Sequence, residues 1–237
     1  METCKNCGKP LILSGGKCIY CGALEKRLQQ NHIQRVNNDA TTNAIDLGLP
    51  SGTKWAICNL GANNPWETGG YYAWGEIEEK NSYDLNTYRW GPWSPYWKYC
   101  NDEFCNVVDN KWELESEDDA AHANLGGRWR MPTMENYKEL MCYCHHEWAV
   151  MNNARGLRFV SKINGKSVFF PAAGLHMGTD LINQDCGYYK SSSLYEKNSD
   201  SAYVFLFVPK NNLRDWSEIT IIPHLRYLGQ SIRPVIL

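Results

Sequence analysis

Four cysteines near the start of the chain have the spacing of metal ligands. They form two matching Cys-x-x-Cys-Gly pairs and comprise Cys4, Cys7, Cys18 and Cys21. Each pair can direct two thiolates at one ion, and the glycine lets the backbone turn beneath the sulfurs. Four thiolates at this spacing favour tetrahedral Zn²⁺, with an iron site or two disulfides as the alternatives. Because four cysteines would complete the coordination shell, we expect the zinc to be structural.

Composition and charge narrow the range of partners. The chain has 237 residues, of which 43% are hydrophobic and 13% aromatic, enough to bury a sizeable core. The formal net charge is −2 and the basic residues are scattered, which argues against a nucleic-acid partner. No apolar run has the length of a membrane span, and the N-terminus lacks the pattern of a signal peptide. We therefore expect a globular protein with no membrane span.

The polarity of the chain predicts three regions. Residues 1–22 contain both cysteine pairs and are predicted to form a zinc ribbon. Residues 23–44 are predicted to be a linker, because the helix expected at Ala23–Gln30 has little apolar face and Asn37–Asn43 has nothing to bury. Residues 45–237 are predicted to form one ligand-binding domain.

The clearest local signals of structure lie between Gly126 and Trp148. Two glycines allow a tight turn, Pro132 restricts φ, and the hydroxyl of Thr133 can cap the first backbone donors of a helix. An apolar stripe at helical spacing follows and comprises Met134, Tyr137, Leu140, Met141, Cys144 and Trp148. This pattern predicts a helix with one buried face. Further on, Asn164-Gly165 predicts the turn of a β-hairpin.

Residues 45–237 contain six recognisable motifs, namely Asp46–Ala56, Gly70–Glu76, Glu117–Ala121, Arg130–Thr133, Phe170–Gly174 and Gly229–Val235. Together these motifs resemble the major paralogous domain of the Fibrobacter succinogenes type. The Arg-Met-Pro-Thr helix start is also similar to that of formylglycine-generating enzymes and related C-type-lectin-fold domains. The resemblance implies an α+β, C-type-lectin-like domain, in which Trp55, Trp74, Arg130, Pro132 and Arg233 would maintain the fold. It also extends to the variable proteins that diversity-generating retroelements mutate.

Three other stretches could hold a ligand or a metal, and each has a structural alternative. The aromatic residues of Tyr83–Tyr99 fit the packing of irregular loops better than a stacking platform for sugars. The acidic residues of Glu113–Asp119 match no calcium loop, which favours a helix start or a solvated turn. In Cys142–His146, adjacent helical positions would point in different directions and would not converge on one ion. The unpaired spacing of the other cysteines predicts buried free thiols at Cys58, Cys100, Cys105 and Cys186.

The segment between Tyr188 and Tyr227 is predicted to carry the ligand-binding surface. It mixes rigid rings and guanidinium groups with small polar side chains, a mixture typical of adaptable binding surfaces. A solvated loop with some core aromatics is the alternative. The candidate contact residues are Tyr189, Lys190, Tyr195, Lys197, Asn198, Asn212, Arg214, Asp215, Trp216, His224, Arg226 and Tyr227.

The function expected from these observations is non-enzymatic binding of a protein or a glycan by a retroelement-diversified variable protein. The expected location is the cytoplasm or a phage particle. One alternative is an oxidase resembling formylglycine-generating enzymes, but these need a redox-active cysteine pair, and Cys186 stands alone in the corresponding region. A second alternative, a cell-surface adhesin domain, lacks the expected signal peptide.

Overall fold

The computed structural model describes residues 13–14, 17–18, 43–91, 98–101, 108–210 and 218–237. The chain divides into two compact units, Met1–Thr42 and Asn43–Leu237. In the first unit the described residues form an antiparallel pair of short strands, β1 (Leu13–Ser14) and β2 (Lys17–Cys18).

The second unit consists mainly of antiparallel strands. Its strands are β3 (Ala44–Asp46), β4 (Lys54–Ala56), β5 (Trp129–Arg130), β6 (Cys144–Met151), β7 (Ala154–Ser161), β8 (Ser167–Pro171), β9 (Leu175–Met177), β10 (Asp180–Ile182), β11 (Gly187–Leu194), β12 (Ser201–Val208), β13 (Glu218–Leu225) and β14 (Val235–Ile236). Its described helices are α1 (Ala120–Leu125) and α2 (Met134–Tyr143). The strands form four small sheets in the described part of this unit, with the orders β3-β4-β14-β5, β6-β7-β8, β9-β10 and β11-β12-β13.

This architecture corrects the predicted α+β class. Strand residues make up 39% and helical residues 9% of the described chain, so the fold is mostly β-sheet. Part of the error lies in the apolar stripe that predicted a helix as far as Trp148. The helix ends at Tyr143, and the following eight residues form β6, which pairs with β7 along its whole length. Cys144 and Trp148 still contribute to the core, but from a strand.

Local signals at the ends of elements are confirmed. The Thr133 hydroxyl accepts a hydrogen bond from the Asn136 backbone N–H at 3.1 Å, and Asn136 Oδ1 accepts one from the Thr133 N–H at 2.9 Å. Together these bonds form a capping box at the start of α2. The turn between β7 and β8 contains Gly165 at φ +73°, a conformation that glycine adopts without strain.

The main core lies where α2 packs against the β11-β12-β13 sheet. Tyr137 of α2 stacks on Phe205 of β12 at a ring-centroid distance of 4.9 Å, and both side chains are fully buried. Trp55 of β4 packs against Tyr137 and Phe170, with ring-centroid distances of 5.3 and 5.6 Å. These aromatic contacts join three sheets and one helix around a single cluster of apolar side chains.

Arg233 joins the C-terminal segment to the rest of the second unit. Its guanidinium is fully buried and donates to Asn59 Oδ1 at 2.8 Å and to the carbonyls of Ala56, Ile57 and Phe169. It also lies 4.8 Å from the centroid of the Phe170 ring. Since the buried guanidinium donates four hydrogen bonds to separate segments, Arg233 stabilises the frame of the fold.

Candidate ligand-binding surface

The structure divides the predicted ligand contacts into a buried group and a solvent-accessible group. The side chains of Tyr189, Lys190 and Arg226 are fully buried, so we assign them to the frame of the fold rather than to the ligand contacts. Tyr195, Lys197, Asn198, His224 and Tyr227 are exposed or half-buried. The predictions for Asn212, Arg214, Asp215 and Trp216 lie outside the described residues.

Arg226 is buried because the chain surrounds it with acceptors and rings. It donates to the Tyr88 hydroxyl at 2.9 Å and to backbone carbonyls of Lys98, Tyr99 and Ser199 at 3.0–3.2 Å. Its guanidinium lies 4.6 Å from the centroid of the Trp74 ring. The carbonyls belong to two separate loops, so Arg226 holds the turn after β11 against residues 98–99.

Tyr189 and Lys190 are buried by the position of β11, whose eight residues are all buried. The Tyr189 hydroxyl donates to the Pro171 carbonyl at 2.7 Å and accepts from Asn59 Nδ2 at 3.1 Å. Lys190 Nζ lies 3.5 Å from the Arg226 carbonyl. Burial lowers the pKa of Lys190 to about 7, although the nearby Glu76 carboxylate raises it.

The accessible residues gather around the turn that joins β11 to β12. Tyr195, Lys197 and Asn198 belong to this turn, which is closed by a hydrogen bond from the Tyr195 N–H to the Ser201 carbonyl at 3.0 Å. Asn198 Oδ1 accepts from the Asp200 N–H at 2.8 Å. The Arg226 N–H also donates to the Asp200 carbonyl at 3.0 Å, which places the turn beside the end of β13. Three predicted contacts therefore share one well-connected surface.

His224, near the end of β13, and Tyr227, just after it, are only partly accessible, and the strand register places His224 on the sheet face opposite Tyr203. His224 Nδ1 is 2.8 Å from Gln230 Nε2, and its ring lies 5.6 Å from that of Tyr188. Burial, with the nearby charge of Lys190, lowers the pKa of His224 to about 4, so its imidazole is neutral near pH 7. Tyr227 packs against two of the apolar clusters. Both residues have structural contacts in addition to their exposed atoms.

Sequence reasoning missed Tyr203, whose ring contacts the turn. The rings of Tyr195 and Tyr203 meet edge to face at 5.4 Å, and the Tyr203 hydroxyl donates to Glu196 Oε2 at 2.5 Å. Tyr203 lies in an apolar run and is therefore absent from the predicted contacts. The alternation of Tyr203, Phe205 and Phe207 on one face of β12 was the available signal, because it places a polar-tipped ring at the end of an apolar row.

The zinc prediction for Cys4, Cys7 and Cys21 lies outside the described residues, as does the side chain of Cys18. In the described chain, one group of acidic side chains converges as metal ligands do, namely Glu115, Glu117 and Asp118. The ammonium of Lys98 lies 2.6–2.8 Å from all three carboxylates. A side-chain ammonium thus already lies between the three carboxylates and offsets part of their negative charge. Hydrogen bonds from Lys111 and Lys98 also lower the pKa of Glu115 to about 2.

The aromatic stretch at Tyr83–Tyr99 is core wherever it is described. Tyr83, Tyr88, Trp90 and Tyr99 are buried in one cluster with Trp74. This confirms the packing interpretation for these four residues, whereas 92–97 lie outside the described chain. The Asp119 carboxylate accepts from the His122 N–H at 3.0 Å and begins α1, which confirms the helix-start interpretation of the acidic stretch.

The described cysteines form no metal-binding group. Cys144 is buried and Cys142 exposed, so the two thiols beside His145 and His146 do not converge. The Cys58 thiol is free as predicted, although its side chain is half-buried rather than buried. Cys186 is buried as predicted, and its thiol donates a hydrogen bond to Asp185 Oδ1 at 3.3 Å. Cys100 is disulfide-bonded, so the free thiol predicted there is wrong. Cys105 lies in a stretch that the structure does not describe.

A charged cleft of about 320 Å³ lies elsewhere on the second unit, between residues 76–80 and Arg89. Three of its charged side chains, those of Glu76, Lys80 and Arg89, form ion pairs within the protein. Lys80 Nζ is 2.8 Å from Glu76 Oε2, and Arg89 Nη1 is 3.2 Å from Asp118 Oδ1. Because these side chains already pair with other charged groups of the protein, they are less available to a ligand. The turn after β11 is therefore the better candidate for ligand binding.

No described helix is long and apolar enough to cross a membrane. Comparisons of the chain with family models, with curated proteins and with solved structures found no match.

Proposed function

We propose that this chain is a non-enzymatic protein that binds a protein or glycan ligand through the turn between β11 and β12 and the adjacent end of β13. The proposal rests on the division of the predicted contact residues into a buried group and an accessible group. Buried Tyr189, Lys190 and Arg226 anchor the strands and the turn, while Tyr195 and Lys197 present a ring and a cation to solvent. A rigid base with accessible rings and amides is the arrangement that binding surfaces use, because little entropy is lost on association.

The finer parts of the proposal rest on sequence motifs. The motif resemblance supports a variable protein of the retroelement-diversified kind, in which this surface would differ between related chains. The spacing of Cys4, Cys7, Cys18 and Cys21 supports a structural zinc ion in the first unit.

The test compares the full-length parent with a Tyr195→Ala/Lys197→Ala variant on a glycan array and on a phage-displayed library of random short peptides. We expect any probe that binds the parent to bind this variant at least about tenfold more weakly. Its melting temperature should stay near that of the parent, since both side chains are at least partly accessible. A Tyr143→Ala/Lys166→Ala variant alters the same residue types at other exposed positions and is the matched control.

Two results would contradict the proposed function. If the double variant keeps full affinity for every probe, the binding surface is elsewhere. Oxygen-dependent oxidation of a cysteine-containing peptide by the parent would instead favour the oxidase alternative.

A further inference from the structure

An apolar row on the β11-β12-β13 sheet continues beyond the part that α2 covers. Directly opposite residues of antiparallel strands share a face, and every second residue returns to it. Successive pairs on this face are Phe207 with Ile219, Phe205 with Ile221, Tyr203 with Pro223, and Ser201 with Leu225. The first two pairs belong to the main core. The same face therefore runs from the core to the turn after β11.

The end of this row is open to solvent. Phe205 and Phe207 are fully buried, whereas Leu225 is 38% exposed and Pro223 is also exposed. Tyr203 is half-buried, and the Tyr195 ring meets it edge to face. We call Tyr195, Tyr203, Pro223 and Leu225 the terminal patch. It is a contiguous apolar surface at the site of the proposed function.

The chemistry of the terminal patch favours an apolar occupant over a sugar. Pro223 and Leu225 have no side-chain hydrogen-bonding group, and the Tyr203 hydroxyl already donates to Glu196. A sugar seated here would lose water from its hydroxyl groups without gaining enough partners, which is costly. An aliphatic or aromatic side chain would lose only unfavourable contact with water.

The patch is suited to side-chain docking rather than to addition of a strand. Within the described chain β13 has a neighbour on one side only, where it pairs with β12. Pro223 lacks a backbone N–H, and the edge strand therefore has an interrupted row of donors. The rings of Tyr195 and Tyr203 are held by each other and by Glu196, which reduces the entropy lost on binding.

The charge beside the patch indicates a second property of the partner. Lys197 is exposed, and among the described residues no carboxylate lies within ion-pair distance of it. The neighbouring Glu196 accepts the hydrogen bond from Tyr203, which lowers the pKa of its carboxyl, and the charge of Lys197 adds to this effect from beyond ion-pair distance. An acidic group on the partner would complement the ammonium of Lys197.

We propose that the terminal patch docks a protein ligand that inserts an aliphatic or aromatic side chain between Tyr203 and Leu225 and pairs an adjacent carboxylate with Lys197. This inference rests on the proposed function and specifies its ligand class. Rings and apolar side chains at the centre with charges at the rim are the usual composition of protein–protein contacts.

The experiment selects binders of the full-length protein from the phage-displayed library of random short peptides, and it tests the winning peptides by calorimetry. We expect enriched peptides to share a large apolar residue next to Asp or Glu. Leu225→Ser should weaken their binding at least about tenfold. Val150→Ser, which alters a side chain 70% exposed on β6, should leave it unchanged. Lys197→Glu should weaken binding of the acidic peptide, and replacing the peptide's acidic residue with lysine should restore it.

Each contrary outcome has a distinct meaning. The inference is overturned if the enriched peptides lack the apolar–acidic pattern. It is also overturned if Leu225→Ser melts like the parent and binds the peptides with unchanged affinity. Binding on the glycan array with no enriched peptide overturns the protein ligand class but keeps the proposed function. Failure of both kinds of probe contradicts both. A concentration-dependent dimer that Leu225→Ser abolishes would assign the patch to a second copy of the chain and would also overturn the inference.

Discussion

Replacing Arg226 with methionine removes a fully buried guanidinium while keeping an unbranched apolar stem. The change deletes hydrogen bonds to the Tyr88 hydroxyl and to the carbonyls of Lys98, Tyr99 and Ser199. It also removes the cation that lies 4.6 Å from the centroid of the Trp74 ring. The variant therefore distinguishes a residue of the frame from a ligand contact, the role that the sequence predicted for Arg226.

The expected loss of stability follows from these contacts. A buried carbonyl left without a donor costs about 1 kcal/mol or more, and Arg226 serves three carbonyls and one hydroxyl. Loss of the cation–π contact adds about 1 kcal/mol, and the methionine side chain recovers part of the packing. We expect unfolding to become easier by about 3–5 kcal/mol, a large fraction of the stability of a domain. For a unit of this size the melting temperature would fall by about 6–20 °C.

Urea denaturation followed by tryptophan fluorescence measures this loss, since Trp74 and Trp90 lie against the guanidinium. Arg158→Met is the matched control. It removes an arginine that is 47% exposed and ion-paired with Glu147, and its stability should stay within about 1 kcal/mol of the parent. If Arg226→Met is as stable as the parent but binds the selected peptides more weakly, Arg226 is a ligand contact and not a residue of the frame.

Two further predictions concern the metal and the buried amine. Anaerobically prepared full-length protein should contain one zinc ion bound by Cys4, Cys7, Cys18 and Cys21, and elemental analysis that finds less than about half an equivalent with intact thiols would contradict this. Burial lowers the pKa of Lys190 to about 7 in the folded protein, below its ordinary value of 10.5. The unfolded chain therefore binds more protons between these pH values, and the contribution of this group to the free energy of unfolding rises with pH. The free energy of unfolding of Lys190→Met, measured relative to the parent, should therefore be most favourable below pH 7, and this relative advantage should shrink as the pH rises above 7. Denaturation at a series of pH values measures this, and an advantage that does not change with pH would contradict it.

Features set by neighbouring residues could be predicted from the sequence. The cap of α2 depends on Thr133 and on Asn136, three positions away, and the β7–β8 turn depends on Asn164-Gly165. Their physical cause is local, because the hydrogen bonds and the backbone conformation involve only residues within one turn.

Whether a polar or aromatic residue faced solvent or the core was decided by the tertiary structure. Arg226 has the residue type of an interface anchor, but its partners Tyr88 and Ser199 lie 138 and 27 positions away along the chain. The tertiary structure also decided the conformation of β6. Its residues continue an apolar pattern at helical spacing, but pairing with β7 makes them a strand. The sequence by itself thus determined caps, turns and the mixture of residue types near the proposed binding surface. Long-range packing determined the class of the fold and left Tyr195, Tyr203, Pro223 and Leu225 at its surface, because burial depends on which distant segments supply the covering atoms.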